Sequence, residues 1–266
     1  MEKIRRFFRK IKENYDLLSA KKYTTMAGTL VFFLITSLLP MAFWVTMLFG
    51  KMPAGGERIL SLPVFDGVKD TIAYIQNEAA GATEGASLLL LATTLYSSTN
   101  LFYQMRRTGE LVYDYRIRRK GLKMRLGALA LLFLTMLLSV LIVLFFTFLS
   151  FLFSLFLSRE AALVADYLLL ALGAFVLVLF FNAYVCPYKM PLSTFLPGAT
   201  FTVGAWTVAV IGFALYLRFS NATRLYGALS AIVVFLLWLY WLMIGFVIGV
   251  VLNSKRVVGQ ERLYNP

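Results

Sequence analysis

Residues 126–157 read LGALALLFLTMLLSVLIVLFFTFLSFLFSLFL and contain no charged side chain. A helix needs about 20 predominantly apolar residues to cross the hydrocarbon layer, where every backbone polar group must be satisfied internally. This segment is longer than a perpendicular span requires. It therefore predicts a membrane-spanning helix that tilts strongly or protrudes into the interface.

Five similar segments accompany it. The six predicted spans are bounded by Lys22 and Lys51, Glu84 and Arg106, Arg125 and Arg159, Asp166 and Lys189, Lys189 and Arg218, and Arg224 and Lys255. The whole chain is 60% hydrophobic and 15% charged, whereas soluble domains are roughly 25% charged. The predicted fold class is all-α, a polytopic membrane bundle with about six transmembrane helices across residues 23–254.

The distribution of Lys and Arg predicts the orientation, because cytoplasmic loops retain positive charge. Eight of these residues lie in residues 1–22, eight in the basic loop 106–125, one in 188–197 and three in the tail 255–266. They make up 20 of the 26 basic residues. Both termini and the basic loop are therefore predicted to be cytoplasmic, and residues 51–85 form the longest external segment.

Two segments outside the spans have an amphipathic pattern. In residues 1–22, apolar side chains recur at helical spacing and Lys and Arg occupy the other faces, which predicts an interfacial helix on anionic lipid. In the external segment, Val64, Val68, Ile72 and Ile75 fit either a short amphipathic helix or a solvated loop. We expect no cleavable signal, since the first apolar run is too long for one.

Several classes of enzyme are disfavoured by what the sequence lacks. The chain has no histidine and a single cysteine, Cys186, which argues against zinc sites and Ser-His catalysis and excludes an intramolecular disulfide. It also lacks a phosphate-binding glycine loop and a dinucleotide fingerprint. We expect no enzyme activity, no cofactor and no metal.

Polar residues inside the predicted spans are candidates for function, since each is costly in lipid and usually faces a cavity or another helix. Thr93, Ser97, Asn100 and Gln104 fall on one face of the second span and form a polar stripe. Asn182 in the fourth span is a further candidate. We predict that these residues line a substrate path, with interhelical hydrogen bonding as an equal alternative.

Small residues in the sixth span predict close helix packing. Gly245 and Gly249 form a GxxxG motif whose next turn is Asn253, and Gly227 extends the smooth face. Packing within the chain and dimerisation both fit this pattern, and Asn253 equally suits an interfacial helix cap. Pro40 is predicted to kink the first span, because it removes a backbone hydrogen bond.

The basic loop supplies candidates for binding anionic headgroups. They are Arg106, Arg107, Arg116, Arg118, Arg119 and Lys120. Positive-inside topology explains the same charges, so no nucleic-acid partner is expected. We expect anionic membrane lipids as partners, with a homo-oligomer as an open alternative.

Short blocks along the chain resemble the YihY/BrkB family of bacterial inner-membrane proteins, once labelled ribonuclease BN-like. The blocks are Ala27 with Ser37-Leu38-Leu39-Pro40, Tyr96-Ser97-Ser98 with Asn100 and Arg106-Arg107, Pro197-Gly198-Ala199 with Trp206 and Tyr216, and Tyr226-Gly227 with Trp238-Leu239-Tyr240, Gly245 and Asn253. Two departures are Tyr96, where family members tend to have tryptophan, and Gly249, near which an acidic residue of some relatives is missing.

The resemblance implies a six-span bundle in the bacterial inner membrane and a role in exporting lipid or another envelope component. With the polar stripe and Pro40, it favours a lipid exporter whose path runs beside the second span. A scaffolding membrane protein that assembles through Gly245 and Gly249 is the alternative, and a small-ion channel is the third hypothesis. The nuclease label fits badly, because metal-binding His or Asp clusters are missing.

Overall fold

The computed structural model describes most of the chain. The described residues are 18–19, 21–49, 61, 70, 73–74, 77–78, 81, 88–115, 121–219 and 222–264. The predicted interfacial helix lies almost entirely outside them, and so does the amphipathic pattern at Val64, Val68, Ile72 and Ile75. All regular secondary structure in the described residues is helical.

Seven helices are described in chain order. They are α1 (Tyr23–Phe49), α2 (Leu88–Ser98), α3 (Asn100–Val112), α4 (Gly121–Phe156), α5 (Arg159–Val185), α6 (Leu196–Phe219) and α7 (Ala222–Tyr264), with a 3-10 turn at Leu192–Phe195 before α6. Among the described residues, α4 to α7 each contain a stretch long and apolar enough to cross a membrane, and α1 contains a shorter one. A helical membrane protein is therefore confirmed, while six spans stay a prediction.

Several helices extend beyond the charged residues that bound the predicted spans. α3 continues through Arg106 and Arg107 to Val112, so part of the predicted basic loop is helical. α7 likewise continues through most of the predicted tail to Tyr264. The reason is that Lys, Arg and Glu end a hydrophobic stretch but are good helix formers.

Thr99 alone separates α2 from α3. Its backbone dihedrals are helical, at φ −80° and ψ −11°. Its N–H donates to the Leu95 carbonyl at 3.3 Å, and its own carbonyl accepts from the Tyr103 N–H at 3.0 Å. Helical hydrogen bonding therefore crosses the break. Pro40 lies inside α1, which continues to Phe49, and the predicted kink stays a prediction.

Buried side chains concentrate at one end of the bundle, which we call the packed end. It comprises the first halves of α1 and α4, all of α3, the end of α5, the start of α6 and residues 246–257 of α7. Representative members are Leu30, Phe102, Leu132, Val185 and Val250. α3 is central here, since it contacts α1, α4, α5 and α7. Under the predicted topology this end faces the cytoplasm.

The opposite halves of α4, α5, α6 and α7 form the open end. Large apolar side chains are exposed on each helix there, for example Phe148, Leu168, Val208 and Trp241. Such exposure is expected where helices face lipid, because hydrocarbon solvates an apolar side chain as well as a protein interior does. The bundle is thus tightly joined at one end and loosely joined at the other.

Candidate functional site

A cationic site at the packed end is built around Arg125, in the second turn of α4. The Arg125 Nη1 donates to Asn100 Oδ1 at 2.6 Å, and its Nη2 donates to the Tyr96 hydroxyl at 2.8 Å. The guanidinium carbon lies 4.2 Å from the ring centroid of Tyr96 and 4.3 Å from that of Tyr103, within the range of cation–π attraction. We call these four residues the Arg125 site.

The positive charge of the Arg125 site is held by neutral groups. In the part of the chain that the structure describes, no carboxylate forms an ion pair with Arg125. A guanidinium has five N–H donors, of which the two bonds above use two. Tyr96 is 58% exposed, so the site is accessible from that side. Arg binds carboxylate and phosphate through its planar donors, and the site therefore suits an anionic group.

The polar stripe meets the Arg125 site at one residue, Asn100. Thr93 is exposed on α2, whereas Ser97 and Gln104 are half-buried. The Ser97 carbonyl accepts a hydrogen bond of 3.0 Å from the buried hydroxyl of Ser37, which joins α1 to α2. The stripe thus combines one exposed residue with others that face neighbouring helices. Its role in a substrate path stays a prediction.

Asn182 belongs to a buried amide network that joins three helices. Its Oδ1 accepts from Asn253 Nδ2 at 2.8 Å, and its Nδ2 donates to the Val178 carbonyl at 2.8 Å. Asn253 Oδ1 in turn accepts from the Gly198 backbone N–H at 2.9 Å. Both asparagines are fully buried. The network therefore ties α5, α6 and α7 together by interhelical hydrogen bonds, and the interfacial helix cap suggested for Asn253 stays a prediction.

Gly245 and Gly249 lie against α6 of the same chain. A Cβ on Gly249 would come within 2.2 Å of Thr202 Oγ1 and 2.6 Å of the Gly198 carbonyl oxygen, and one on Gly245 would come within 3.0 Å of Ala205 Cβ. The GxxxG face is thus occupied within the chain and leaves no room there for a second copy. Gly227 lies in α7. The packing around it is outside the part of the chain whose side chains the structure describes.

Arg106 and Arg107 are neighbours in sequence with different environments. Arg106 is 8% exposed, and its Nη1 donates to the carbonyls of Tyr184 and Cys186, the latter at 2.6 Å. It therefore caps the end of α5, where the helix dipole favours a cation. Arg107 is exposed, and headgroup binding stays a prediction for it. The other candidates, Arg116, Arg118, Arg119 and Lys120, lie outside the described residues.

The sequence contained a signal for the Arg125 site that counting charges does not detect. When Lys and Arg residues are counted along the sequence, Arg125 only marks the boundary of a predicted span. Tyr96, Asn100 and Tyr103, however, are spaced i, i+4 and i+7 and so lie on one helix face. Two aromatic rings with an amide between them are a suitable partner for a guanidinium, but pairing them with Arg125 requires the packing of α4 against α3.

Comparison with known proteins gives one result. No curated protein and no solved structure matches the chain significantly. A family model described as "Virulence factor BrkB" matches residues 15–264, a range that includes every helix described above. The match confirms the resemblance drawn from the short blocks in the sequence. This chain belongs to the virulence factor BrkB family.

Proposed function

We propose that this membrane protein exports an anionic lipid, or a related component of the envelope, across the bacterial inner membrane. The path runs beside the polar face of α2 and α3. The observation that carries the proposal is the Arg125 site, where a cation with neutral partners lies next to the exposed Tyr96. An anionic headgroup supplies the charge that the described partners of Arg125 do not.

Headgroup binding is the first step of the proposal. Arg107 and Lys123 are exposed at the packed end, and each basic residue near an anionic membrane surface contributes about 1 kcal/mol of attraction. They concentrate anionic lipid without fixing its position. Arg125 differs from them because Asn100 and Tyr96 hold its guanidinium in one orientation, which favours paired hydrogen bonds to a phosphate.

Movement of the headgroup along α2 is the second step. Moving a charge to the bilayer centre costs about 2.5–3.5 kcal/mol on insertion scales, and one hydrogen bond between membrane helices contributes on the order of 1 kcal/mol. Two or three contacts to hydroxyls such as those of Ser97 and Thr93 therefore offset much of the cost. The acyl chains remain in the surrounding hydrocarbon, next to the exposed surface of α2.

A reconstituted lipid-scrambling assay tests the proposal. Liposomes containing the protein and fluorescent phosphatidylglycerol should lose signal to an external quencher faster than empty liposomes. Arg125→Gln should slow the exchange about tenfold, since hydrogen bonds to a charged group contribute roughly 1.5–3 kcal/mol. Arg125→Lys should retain part of the rate, because lysine keeps the charge but not the paired geometry.

Lys123→Gln is the matched control for the loss of one positive charge, since Lys123 is an exposed cation on the same helix. It attracts lipid without fixing its position, so its loss should slow the exchange less than Arg125→Gln does. Each variant is first checked for a monodisperse elution profile in detergent. Equal rates for intact protein and empty liposomes contradict export of this lipid. Equal rates for Arg125→Gln and Lys123→Gln contradict the role of the Arg125 site.

A further inference from the structure

A long groove runs along the outside of the bundle between α6 and α7. It has a volume of about 1330 Å³ and is lined on α6 from Pro197 to Tyr216 and on α7 from Val234 to Ile248. The α6 side covers roughly 28 Å at the helical rise per residue. The hydrocarbon layer of a bilayer is about 30 Å thick. The groove therefore extends over nearly the whole apolar depth of a membrane.

The lining of this groove is apolar and rich in aromatic rings. Among the described residues that line it, none is charged. The rings of Phe213 and Trp238 stack with their centroids 5.0 Å apart, and Phe201 and Trp241 add two more aromatic side chains. The hydroxyl of Thr200 donates to the Leu196 carbonyl of its own helix at 2.8 Å. The chemistry of the groove thus fits a hydrocarbon chain.

Two glycines deepen the groove without serving helix packing. A Cβ added to Gly204 or Gly212 would meet no atom of the described chain within 4 Å. They differ in this respect from Gly245 and Gly249, where a Cβ would collide with α6. Glycine weakens a helix relative to alanine, and at these two positions of α6 the missing side chain leaves space in the groove.

Basic side chains follow the groove at the packed end. Lys255 and Arg256 are exposed and lie seven and eight residues after Ile248 in the same helix, which is about 10–12 Å along its axis. At 100° per residue both fall on the face of α7 that lines the groove. A molecule with its hydrocarbon chain in the groove would therefore place its polar end beside cations.

We propose that the groove between α6 and α7 is a binding site for a phospholipid with an anionic headgroup. One acyl chain lies along Gly204 and Gly212, and the phosphate lies next to Arg256. Continuous apolar lining over the depth of the membrane and a positive charge at one end are complementary to such an amphiphile. The proposal is independent of export, since a lipid held here need not be the one that moves.

Native mass spectrometry of the purified full chain tests occupancy. The protein is extracted in mild detergent, supplied with phosphatidylglycerol or phosphatidylcholine of identical acyl chains, and examined for retained lipid. The wild type should retain one phosphatidylglycerol, and Gly204→Leu or Gly212→Leu should lower its retention at least fivefold by filling the groove. Gly127→Leu is the matched control, because Gly127 on α4 also has open space at its Cβ.

The preference of the groove for an anionic headgroup is tested separately in vesicles that contain brominated lipids. Bromine atoms quench nearby tryptophans such as Trp238 and Trp241. Brominated phosphatidylglycerol should quench the wild type more strongly than brominated phosphatidylcholine at equal mole fraction. Arg256→Gln should weaken this preference about fivefold, as expected for the loss of one cation beside an anionic headgroup. Arg159→Gln removes an exposed cation at the start of α5 and should leave the preference unchanged, which separates the charge beside the groove from the net charge of the protein.

Three results overturn the proposal. The first is equal lipid retention by Gly204→Leu and Gly127→Leu. The second is equal quenching by the two brominated lipids in the wild type, a measurement that does not depend on any variant folding. If Gly204→Leu converts a dimer to a monomer while lipid retention stays constant, the groove is an interface between copies of the chain and the proposal fails.

Discussion

The packed end and the open end of the bundle share the helices α4 to α7, but these helices are joined in different ways at the two ends. At the packed end, buried amides, hydroxyls and a guanidinium bridge α3, α5, α6 and α7. Glycines there allow backbones to approach each other closely. At the open end the helices expose large apolar side chains, and grooves separate α4 from α5 and α6 from α7.

This difference shows what holds a bundle together in lipid. Moving a leucine from lipid to a protein interior changes little free energy, so apolar side chains alone do not join membrane helices. Close backbone approach and hydrogen bonds do, and both are concentrated at the packed end. Among the described residues the open end has few of them, such as the bond of 2.7 Å from Trp206 Nε1 to the Leu242 carbonyl, which leaves much of its surface available to lipid molecules.

Among variants that test the difference between the two ends, Gly109→Ala is expected to have the largest effect on stability. A Cβ at Gly109 would lie 2.0 Å from the Val185 carbonyl oxygen, so α3 and α5 must separate. We expect a loss of more than about 3 kcal/mol of stability, beyond the usual cost of overpacking, measured by SDS-induced unfolding. Gly127→Ala, on the exposed side of α4, should stabilise the helix slightly. Equal stability of the two variants would contradict the assigned packing of α3.

Two leucines of α4 provide the second test. Leu132 is fully buried at the packed end, whereas Leu137 is 50% exposed. Leu132→Ala should cost about 2 kcal/mol, near the lower end of values for buried leucines, because lipid removes most of the transfer term and leaves the cavity term. Leu137→Ala should change the unfolding midpoint little. A larger effect at Leu137 would show that the open end is packed against something else.

The smallest of the three effects is expected for Asn253→Ala. The change removes the partner of both Asn182 Oδ1 and the Gly198 N–H and should cost about 1–2 kcal/mol. A double-mutant cycle with Asn182→Ala isolates the interhelical bond. Thr207→Val is the control, because the Thr207 hydroxyl bonds within its own helix. Strict additivity of the two asparagine variants would mean that their hydrogen bond contributes nothing.

The sequence was sufficient to predict the helical membrane fold and the family, because both depend on patterns along the chain. The long uncharged run at residues 126–157 and the blocks around Pro40 and Gly245 carry that information. The environments of Arg106 and Arg107 could not be predicted in the same way. Both are basic residues at a span boundary, and the rotation of α3 against α5 alone buries one and exposes the other.

The same limit applies to the two candidate sites. The i, i+4, i+7 spacing of Tyr96, Asn100 and Tyr103 predicts a shared face, but Arg125 comes from another helix. The groove between α6 and α7 exists because some glycines of these helices lie against a neighbouring helix and others face open space. Gly204 and Gly245 look alike in sequence, and only the structure distinguishes them.

The length of α7 has a mechanical consequence. The helix is held at the packed end by Phe246, Val250 and Asn253 and continues without interruption back to Ala222, about 36 Å from Phe246 at the helical rise. A rotation of about 10° at the held portion would displace Ala222 by roughly 6 Å. A helix of this length would convert a small rotation around Asn253 into a larger displacement at its other end.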